Sequence, residues 1–366
     1  MGRLRDRRGI DRVLRRGHAP DRHAARRAFI GEPTVSLVGI IANPASGKDV
    51  RRLVSQALTV GNQQKANIVR RVLIALIAMG VERVEIMPDQ YGIGLGALDG
   101  LRSQPDVVAR TVVLDLPVDG TADDTLRAAE YFNAADAGCL ITLGGDGTVR
   151  VAARGCGEVP ILPVSTGTNN VVPTFIEGTV AGVAAGVVAC HAASAHRRFC
   201  YRHKRLDIRI NGRLVDTALV DVALVATRFV GARAVWEPKT LRQLFVTRAH
   251  PGSIGLSSLI GVLRPISVAE PQGAAVLMGH GGRRVLAPIA PGALTAVSIE
   301  QIEMLQPEIA HPVLDERPAV LALDGEREIE LGLDDQVEII LRLDGPWIVD
   351  VDRTLLWAVA DGLFVR

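Results

Sequence analysis

Five short apolar runs follow one another between residues 35 and 165, and each is followed by a turn rich in Gly, Pro, Asn, Asp or Ser. They occupy residues 35–42, 84–87, 112–116, 139–143 and 161–164. Uninterrupted apolar runs of this length are typical of strands buried on both faces. Residues 66–79 and 121–135 have helical spacing between them. Strands that alternate with helices predict an α/β domain with a Rossmann-like, mostly parallel sheet.

After about residue 200 the hydrophobic period shifts toward two, which is typical of half-buried strands. The sequence predicts a hairpin that consists of residues 206–210, an Asn211-Gly212 turn and residues 213–227. Further strands are predicted at 274–278, 296–299, 319–323, 328–331 and 337–341. We therefore expect an α/β nucleotide-binding domain at 34–198 and a β-rich domain at 199–345. A C-terminal segment at 346–366 is apolar enough to pack back on the first domain.

Charge and composition narrow the function classes. The net charge is +2, yet residues 1–31 hold ten Arg against three Asp, so the rest of the chain is mildly acidic and offers no basic field for nucleic acid. Residues 1–33 are interpreted as a disordered Arg-rich tail, with a nucleic-acid or membrane-surface arm as the alternative.

The four cysteines lack C-x-x-C spacing, which favours a reduced, cytoplasmic protein. The uncharged stretch 179–195 is short for a membrane span and predicts a packed helix.

The segment Gly144-Gly145-Asp146-Gly147-Thr148 comes directly after the fourth apolar run. Glycines let a backbone approach a phosphate closely, and the N–H groups that open the next helix complement its charge. A carboxylate inside such a loop is unfavourable beside an anion unless it holds a metal or takes a proton from an attacking hydroxyl. The pattern predicts a phosphate site with Asp146 in one of those roles. A tight turn in which Asp146 caps the next helix is the structural alternative.

Two further loops stand at the same place in the pattern. Asn43-Pro44-Ala45-Ser46-Gly47-Lys48 follows the first run, and residues 163–170 include the end of the fifth. The first of these is not a P-loop, because the spacing G-x-x-x-x-G-K-[ST] is absent. Ligands of open α/β sheets bind at the carboxyl ends of the strands. We therefore expect the three loops to converge on one polyphosphate.

Three segments resemble, in order, the three nucleotide loops of the superfamily that joins NAD kinases and diacylglycerol kinases. They are Asn43-Pro-Ala-Ser-Gly47, Gly144-Gly-Asp-Gly-Thr148 and Pro163-Val-Ser-Thr-Gly-Thr-Asn169. Three later segments resemble the C-terminal strands of NAD kinases, in order and spacing. They are Ala287-Pro-Ile-Ala-Pro291, Arg317-Pro318 and Leu323-Asp-Gly-Glu326. Residues 252–257 are similar to the Thr-Gly-Ser-Thr-Ala loop that binds adenosine there. Over residues 35–345 the chain resembles the ATP-NAD kinase branch that contains acetoin-catabolism protein X, which implies an NAD kinase-like fold.

The resemblance also implies roles for individual residues. Asp146 would be the general base that faces a substrate hydroxyl. Residues on the nucleotide and phosphate side would be Asn43, Ser46, Gly47, Gly144, Gly145, Gly147, Thr148, Gly167, Thr168 and Asn169. Residues on the substrate side would be Asn170, Asp221, Gly252, Ser253 and Ser257. ATP with Mg²⁺ is the implied phosphoryl donor, since a metal neutralises charge on the transferring group, and the sequence leaves the metal ligands unknown.

Three departures from the family pattern bear on the acceptor. NAD kinases carry Ala-Leu-Asn-Glu in a strand, whereas this chain has Ala218-Leu219-Val220-Asp221, which keeps a carboxylate and loses the amide. The adenosine-type loop has Pro251 and Ile254 where the family has Thr. The loop that ends in Asn169-Asn170 is closer to the lipid-kinase form.

The sequence thus predicts an ATP-dependent kinase that transfers a phosphoryl group to a hydroxyl, with NAD, giving NADP, as the first acceptor to test. Two alternatives remain open: a lipid or other small-alcohol kinase of the diacylglycerol kinase type, and a nucleotide-binding regulator without catalysis. We expect a small-molecule substrate and a homo-oligomer. No nucleic-acid partner and no integral membrane association are expected.

Overall fold

A computed structural model describes residues 36–46, 60–167, 169–227, 238–314 and 316–365, and for residues 326–328 it describes the backbone alone. The predicted Arg-rich tail at 1–33 lies outside these ranges. Gly47 and Thr168, which the resemblance assigned to the nucleotide side, lie outside them as well.

The first half of the described chain alternates strands and helices. In order it contains β1 (Leu37–Ala42), α1 (Asn62–Ala78), β2 (Arg83–Ile86), α2 (Ile93–Asp99), α3 (Pro105–Ala109), β3 (Thr111–Val113), α4 (Ala122–Ala134), β4 (Cys139–Gly144), α5 (Asp146–Gly155), β5 (Ile161–Ser165), α6 (Gly178–Ala189), a 3₁₀ turn (Ala193–Ala195) and α7 (His196–Phe199).

The second half is mostly strands. It contains β6 (Cys200–Arg202), β7 (Arg205–Ile210), β8 (Arg213–Ala218), β9 (Asp221–Val225), a 3₁₀ turn (Pro238–Thr240), β10 (Leu241–Val246), α8 (Ser258–Gly261), β11 (Gly273–Ala290), β12 (Ala293–Leu305), β13 (Ala310–Pro312), β14 (Val320–Leu323), β15 (Glu326–Glu330), β16 (Val337–Arg342), β17 (Trp347–Val349) and α9 (Val351–Ala360).

A seven-stranded sheet in the order β3-β2-β1-β4-β5-β17-β6 forms the centre of the α/β half. Its neighbouring strands run parallel except for β6, which pairs antiparallel with β17. Strand β1 is buried along its whole length, and its residues alternate between two cores. Val38 and Ile40 pack with α1 and α6 on one face, while Leu37 and Ile41 pack with α4 and α5 on the other. Burial on both faces explains why these strands are continuous apolar runs.

Two antiparallel sheets form the β-rich half, as the period of two predicted. One has six strands in the order β12-β11-β10-β9-β14-β15, and the other has four in the order β13-β16-β7-β8. Residues from both sheets share one core, in which Ile208 and Ile339 of the smaller sheet lie with Leu224 and Phe245 of the larger. The expected fold class, a mostly parallel α/β part followed by an antiparallel β part, is confirmed.

One strand prediction is wrong. Residues 213–227 form two strands instead of one, because β8 pairs in the four-stranded sheet and β9 in the six-stranded sheet. The break falls at Leu219 and Val220, whose N–H groups both donate to the buried carboxylate of Asp324. The hydrophobic pattern does not reveal this break, because the Asp324 carboxylate that binds the amides at the break lies about a hundred residues further along the chain.

The chain re-enters the α/β half near its end. Ile348 of β17 pairs with Ile161 of β5 on one side and with Tyr201 of β6 on the other. The predicted domain boundaries at 198/199 and 345/346 stay predictions. Among the described helices, no single one is long and apolar enough to cross a membrane, although the bent pair Gly178–Ala189 and Ala193–Phe199 passes that test by length and composition.

Candidate active site

Asp146 lies at the first position of α5 and holds two loops together. Its carboxylate accepts hydrogen bonds from the Val171 amide, at 2.9 and 3.1 Å from its two oxygens, and from the Val172 amide at 2.8 Å. The side chain is buried, and no side-chain hydrogen bond caps the start of α5. Two N–H donors stabilise a carboxylate and fix its orientation. These bonds tie the third loop to the start of α5, and the helix-capping alternative for Asp146 stays a prediction.

The glycines before Asp146 are required by close approach to neighbouring side chains. A Cβ atom on Gly145 would lie 2.8 Å from Oδ1 of Asn170, and one on Gly144 would overlap the Thr148 side chain. Neither glycine has a positive φ. A larger residue at Gly145 would therefore displace the Asn170 side chain of the third loop, and one at Gly144 would displace Thr148 within the second loop.

Side-chain hydrogen bonds join the first loop to the other two. Nδ2 of Asn43 donates to Oγ1 of Thr148 at 2.9 Å. Oγ of Ser46 lies 2.9 Å from Oγ1 of Thr166, whose own amide donates to the carbonyl of Gly144 at 3.2 Å. The expected convergence of the three loops at one end of the parallel sheet is present in the structure.

Lys65 of α1 is a buried cation that lies beneath the first loop. Sequence reasoning did not predict it. Its Nζ donates to the carbonyls of Asn43 at 2.7 Å and Ser46 at 3.0 Å, and to Oδ1 of Asn62 at 3.3 Å. Lysines are rarely fully buried unless their donors are satisfied. One feature of the sequence could have indicated this buried lysine: it stands within the apolar face of a helix, in a chain that has only four lysines.

A cleft opens where these loops meet the β-rich half. It is lined by Asp146, Asn169, Val171, Val220, Asp221, Ile254, Gly255, Leu256, Ile289, Asp324 and Gly325. The first three come from the α/β half, and the others come from the loops and strands that follow residue 218. The cleft therefore places the Asp146 carboxylate opposite a wall built by the second half.

Asp324 organises that second wall. Its carboxylate accepts hydrogen bonds from the amides of Leu219, Val220 and Asp221 at 2.7–3.2 Å, and its own amide donates to the Asp221 carbonyl. Burial raises the pKa of Asp324 above its ordinary value, while nearby Arg150 and the three amides oppose that rise. Asp324 and Gly325 both have positive φ, so the chain turns sharply here. The Leu323-Asp-Gly-Glu326 segment carried the family resemblance, but its spacing alone does not reveal what Asp324 holds.

Arg150 joins the two halves behind the cleft. It lies one helical turn after Asp146, and its guanidinium contacts Asp216 of β8 at 3.0 Å and Asp324 at 3.7 Å. The Arg150 side chain is 5% exposed and that of Asp324 is fully buried, so the two charges share a region from which water is excluded.

The structure brings together some of the expected site residues and separates others. Asn43, Ser46, Gly144, Gly145 and Thr148 lie in the joined loops, as do Gly147, Gly167, Asn169 and Asn170. Asp221, which the resemblance assigned to the substrate side, lines the cleft. Gly252, Ser253 and Ser257 are not among the cleft-lining residues. Gly252 is exposed and Ser257 is fully buried, so their expected contribution to the wall passes instead to Ile254, Gly255 and Leu256.

Comparisons with known proteins agree with this architecture. Residues 38–192 match the model of the ATP-NAD kinase N-terminal domain, and residues 204–344 match the model of the acetoin catabolism protein X C-terminal domain. The fold and its three joined loops thus define a protein with an NAD kinase-like domain. Over 315 residues the chain is 42% identical to acetoin catabolism protein X of Cupriavidus necator, covering 83% of this chain and 87% of that protein. The chain belongs to the acetoin catabolism protein X family, which confirms the resemblance seen in the sequence.

Proposed function

We propose that this chain is an ATP-dependent kinase that phosphorylates a hydroxyl group, with Asp146 as the general base. The observation that carries the proposal is the Asp146 carboxylate, oriented by two amides and facing a cleft between the nucleotide loops and a second wall. Kinship with NAD kinases implies the use of ATP.

The proposed reaction is an in-line phosphoryl transfer. The acceptor oxygen attacks the γ-phosphorus of ATP, a new P–O bond forms, and the bond to the β-phosphate oxygen breaks to release ADP. The proton of the acceptor hydroxyl passes to the Asp146 carboxylate. The amides of Val171 and Val172 hold that carboxylate in place.

The three loops suit the polyphosphate of ATP, because small residues and hydroxyls replace bulky side chains at the strand ends. Mg²⁺ is proposed as the accompanying cation, which neutralises charge on the transferring group. No group of three or more His, Cys, Asp or Glu within the described ranges could hold a metal ion by itself. Mg²⁺ commonly binds through one or two carboxylates together with substrate phosphates, and Asp221, which lines the cleft, is suited to supply such a carboxylate.

NAD is the first acceptor to test, given the kinship with NAD kinases. The relative's name links that protein to acetoin catabolism, which favours adding small alcohols to the assay. The decisive experiment incubates purified protein with ATP and Mg²⁺ against NAD, NADH and a panel of alcohols, and measures ADP. A nucleotide-binding regulator would bind ATP in the same experiment without turnover.

The first prediction is that Asp146→Asn lowers kcat by roughly 10²–10⁴-fold with little change in ATP affinity, because a positioned general base is lost. Oδ1 of Asp146 alone lies within hydrogen-bond distance of both the Val171 and Val172 amides, so the Asn carbonyl can keep those bonds. ADP release and ATP calorimetry measure the two effects. Asp123→Asn, at an exposed position in the first turn of α4, serves as the matched control. Normal turnover in Asp146→Asn would show that this carboxylate is structural.

A further inference from the structure

We infer that Lys65 is a positioning residue for the nucleotide: its buried ammonium holds the first loop in the conformation that accepts the polyphosphate of ATP. This inference rests on the proposed kinase function, and it names a residue that sets the affinity for ATP without touching ATP. Lys65, in the first turn of α1, bonds to the main chain of Asn43 and Ser46, and the side chains of these two residues join the other loops.

The ammonium of Lys65 binds both ends of the part of the first loop that the structure describes. Nζ donates to the carbonyl of Asn43 at 2.7 Å and to that of Ser46 at 3.0 Å. The Asn43 carbonyl also accepts a bond from Oγ of Ser46 at 2.9 Å, which closes the turn. Because Lys65 is fully buried, both carbonyl oxygens point into the protein. A carbonyl oxygen is the negative end of the peptide dipole, so this orientation keeps it away from an approaching phosphate.

Each of the two residues also contacts a neighbouring loop through its side chain. Nδ2 of Asn43 donates to Oγ1 of Thr148 in the second loop, and Oγ of Ser46 lies 2.9 Å from Oγ1 of Thr166 in the third. One amine therefore fixes the main chain at the two points where the first loop meets the others. Without it the carbonyls are free to turn outward and the first loop to separate from its neighbours, so the affinity for ATP falls.

The general base is held by different bonds. The carboxylate of Asp146 is fixed by the amides of Val171 and Val172, which follow the third loop. Loss of the Lys65 amine should therefore weaken ATP binding and leave the base in place. A residue that only stabilised the fold would change neither the ATP affinity nor kcat of the folded enzyme.

Lys204 is a matched control in the same chain. It is buried as well, and its Nζ also donates to carbonyl oxygens, those of Ser267 at 2.9 Å, Glu270 at 2.9 Å and Gln272 at 2.7 Å. None of these four described residues lines the cleft. Lys65 and Lys204 thus make the same kind of main-chain contact, one at the nucleotide loops and the other away from them.

The first experiment compares Lys65→Met with Lys204→Met, because Met keeps most of the length of the side chain and removes its N–H donors. We expect Lys65→Met to raise the Kd for ATP with Mg²⁺ by about 10- to 100-fold in calorimetry, while kcat at saturating ATP changes by less than about threefold. Lys204→Met should lower the Tm and leave the Kd for ATP unchanged. Thermal melts show that each variant is folded.

The second experiment uses the parent protein and needs no variant. A buried lysine reacts with acetic anhydride only when its surroundings open. ATP bound to the closed first loop should slow the acetylation of Lys65 by the factor 1 + [ATP]/Kd, which is about tenfold when the ATP concentration is ten times Kd. We expect Lys204 to be protected less. Mass spectrometry separates the sites, since the chain has four lysines.

The outcomes separate this inference from the proposed function. An unchanged Kd for ATP in folded Lys65→Met, or equal protection of Lys65 and Lys204 by ATP, overturns the role of Lys65 and leaves the kinase function standing. Absence of ATP binding by the parent protein overturns both. If Lys65→Met does not fold, the acetylation of the parent protein decides.

Discussion

Arg150 and Asp324 show how a few buried charges connect the two walls of the cleft. Arg150 lies on the helix that begins at Asp146, and Asp324 holds the amides of the segment that ends in Asp221. The two groups meet where solvent is excluded, so each compensates the charge of the other. A change at either residue should therefore alter both the folding free energy and the relative placement of Asp146 and Asp221.

Arg150→Gln is predicted to lower the free energy of unfolding by about 3 kcal/mol, because it leaves Asp324 buried without its cation. Arg154→Gln is the matched control. Arg154 lies on the same helix and approaches Asp216 at 3.8 Å, but its side chain is 46% exposed, so its loss should cost less than about 1 kcal/mol. Urea denaturation of both variants measures the difference. Equal losses would show that the Arg150 pair contributes no more than a surface ion pair.

Sequence reasoning predicted the site residues that stand in short, recognisable loops. Asp146, Thr148 and Asn43 stand in loops whose composition and position after a strand indicate phosphate binding. Lys65 and Asp324 could not be found in this way, because their side chains form hydrogen bonds with main-chain groups. Lys65 supports carbonyls about twenty residues away, and Asp324 holds amides about a hundred residues away. Hydrogen bonds to main-chain groups leave no side-chain pattern in a sequence.

At the scale of elements, α6 packs unusually close to α1. Three glycines spaced four residues apart, Gly178, Gly182 and Gly186, face α1, and a Cβ atom on Gly182 would lie 2.6 Å from the Val72 carbonyl. The face of α6 toward α1 thus consists of small residues. The prediction of a packed helix at 179–195 is right as far as Ala189, where the helix ends, and wrong beyond it. Element type was predictable here from composition, whereas the break between β8 and β9 was not, because it depends on the distant Asp324.

Gly182→Ala is predicted to destabilise the protein by about 1–3 kcal/mol, since α1 and α6 must separate to admit the methyl group. Gly96→Ala in α2 is the matched control. The nearest atom to its added Cβ would be 3.8 Å away, so the helix propensity of Ala should stabilise the protein by up to about 1 kcal/mol. Opposite shifts of Tm are expected. A rise in Tm for both variants would refute the close contact at Gly182.

At the scale of the whole molecule, the chain passes between its two halves at adjacent points. His203 lies on the first crossing, between β6 and β7, and its amide donates to the carbonyl of Pro346 on the second crossing at 2.9 Å. The imidazole of His203 is fully buried, and its Nδ1 lies 2.6 Å from the Lys204 carbonyl. Burial lowers the pKa of His203 to about 3, so the folded protein keeps this ring neutral.

This burial predicts a loss of stability in acid. Below about pH 6.5 the His203 ring takes a proton in the unfolded chain but not in the folded one, so stability falls as the pH drops from 6.5 toward 3. His203 contributes at most about 1.4 kcal/mol per pH unit to the slope of the unfolding free energy against pH. His203→Gln should remove that share of the slope of unfolding free energy against pH, whatever its effect at pH 7. His280→Gln, at an exposed position, should leave the slope unchanged. A parental slope in the His203 variant would contradict the prediction.

The placement of β17 has a consequence for how the protein is made. Ile348 fills the space between β5 and β6, yet it is translated after every strand of the β-rich half. During synthesis the seven-stranded sheet therefore keeps an unfilled gap beside β5 while the β-rich half emerges from the ribosome. Only when residues 347–349 have been released can the gap close and the sheet become continuous. The order of translation thus couples completion of the seven-stranded sheet to the presence of the β-rich half, so a truncated product that lacks the β-rich half also lacks a complete sheet.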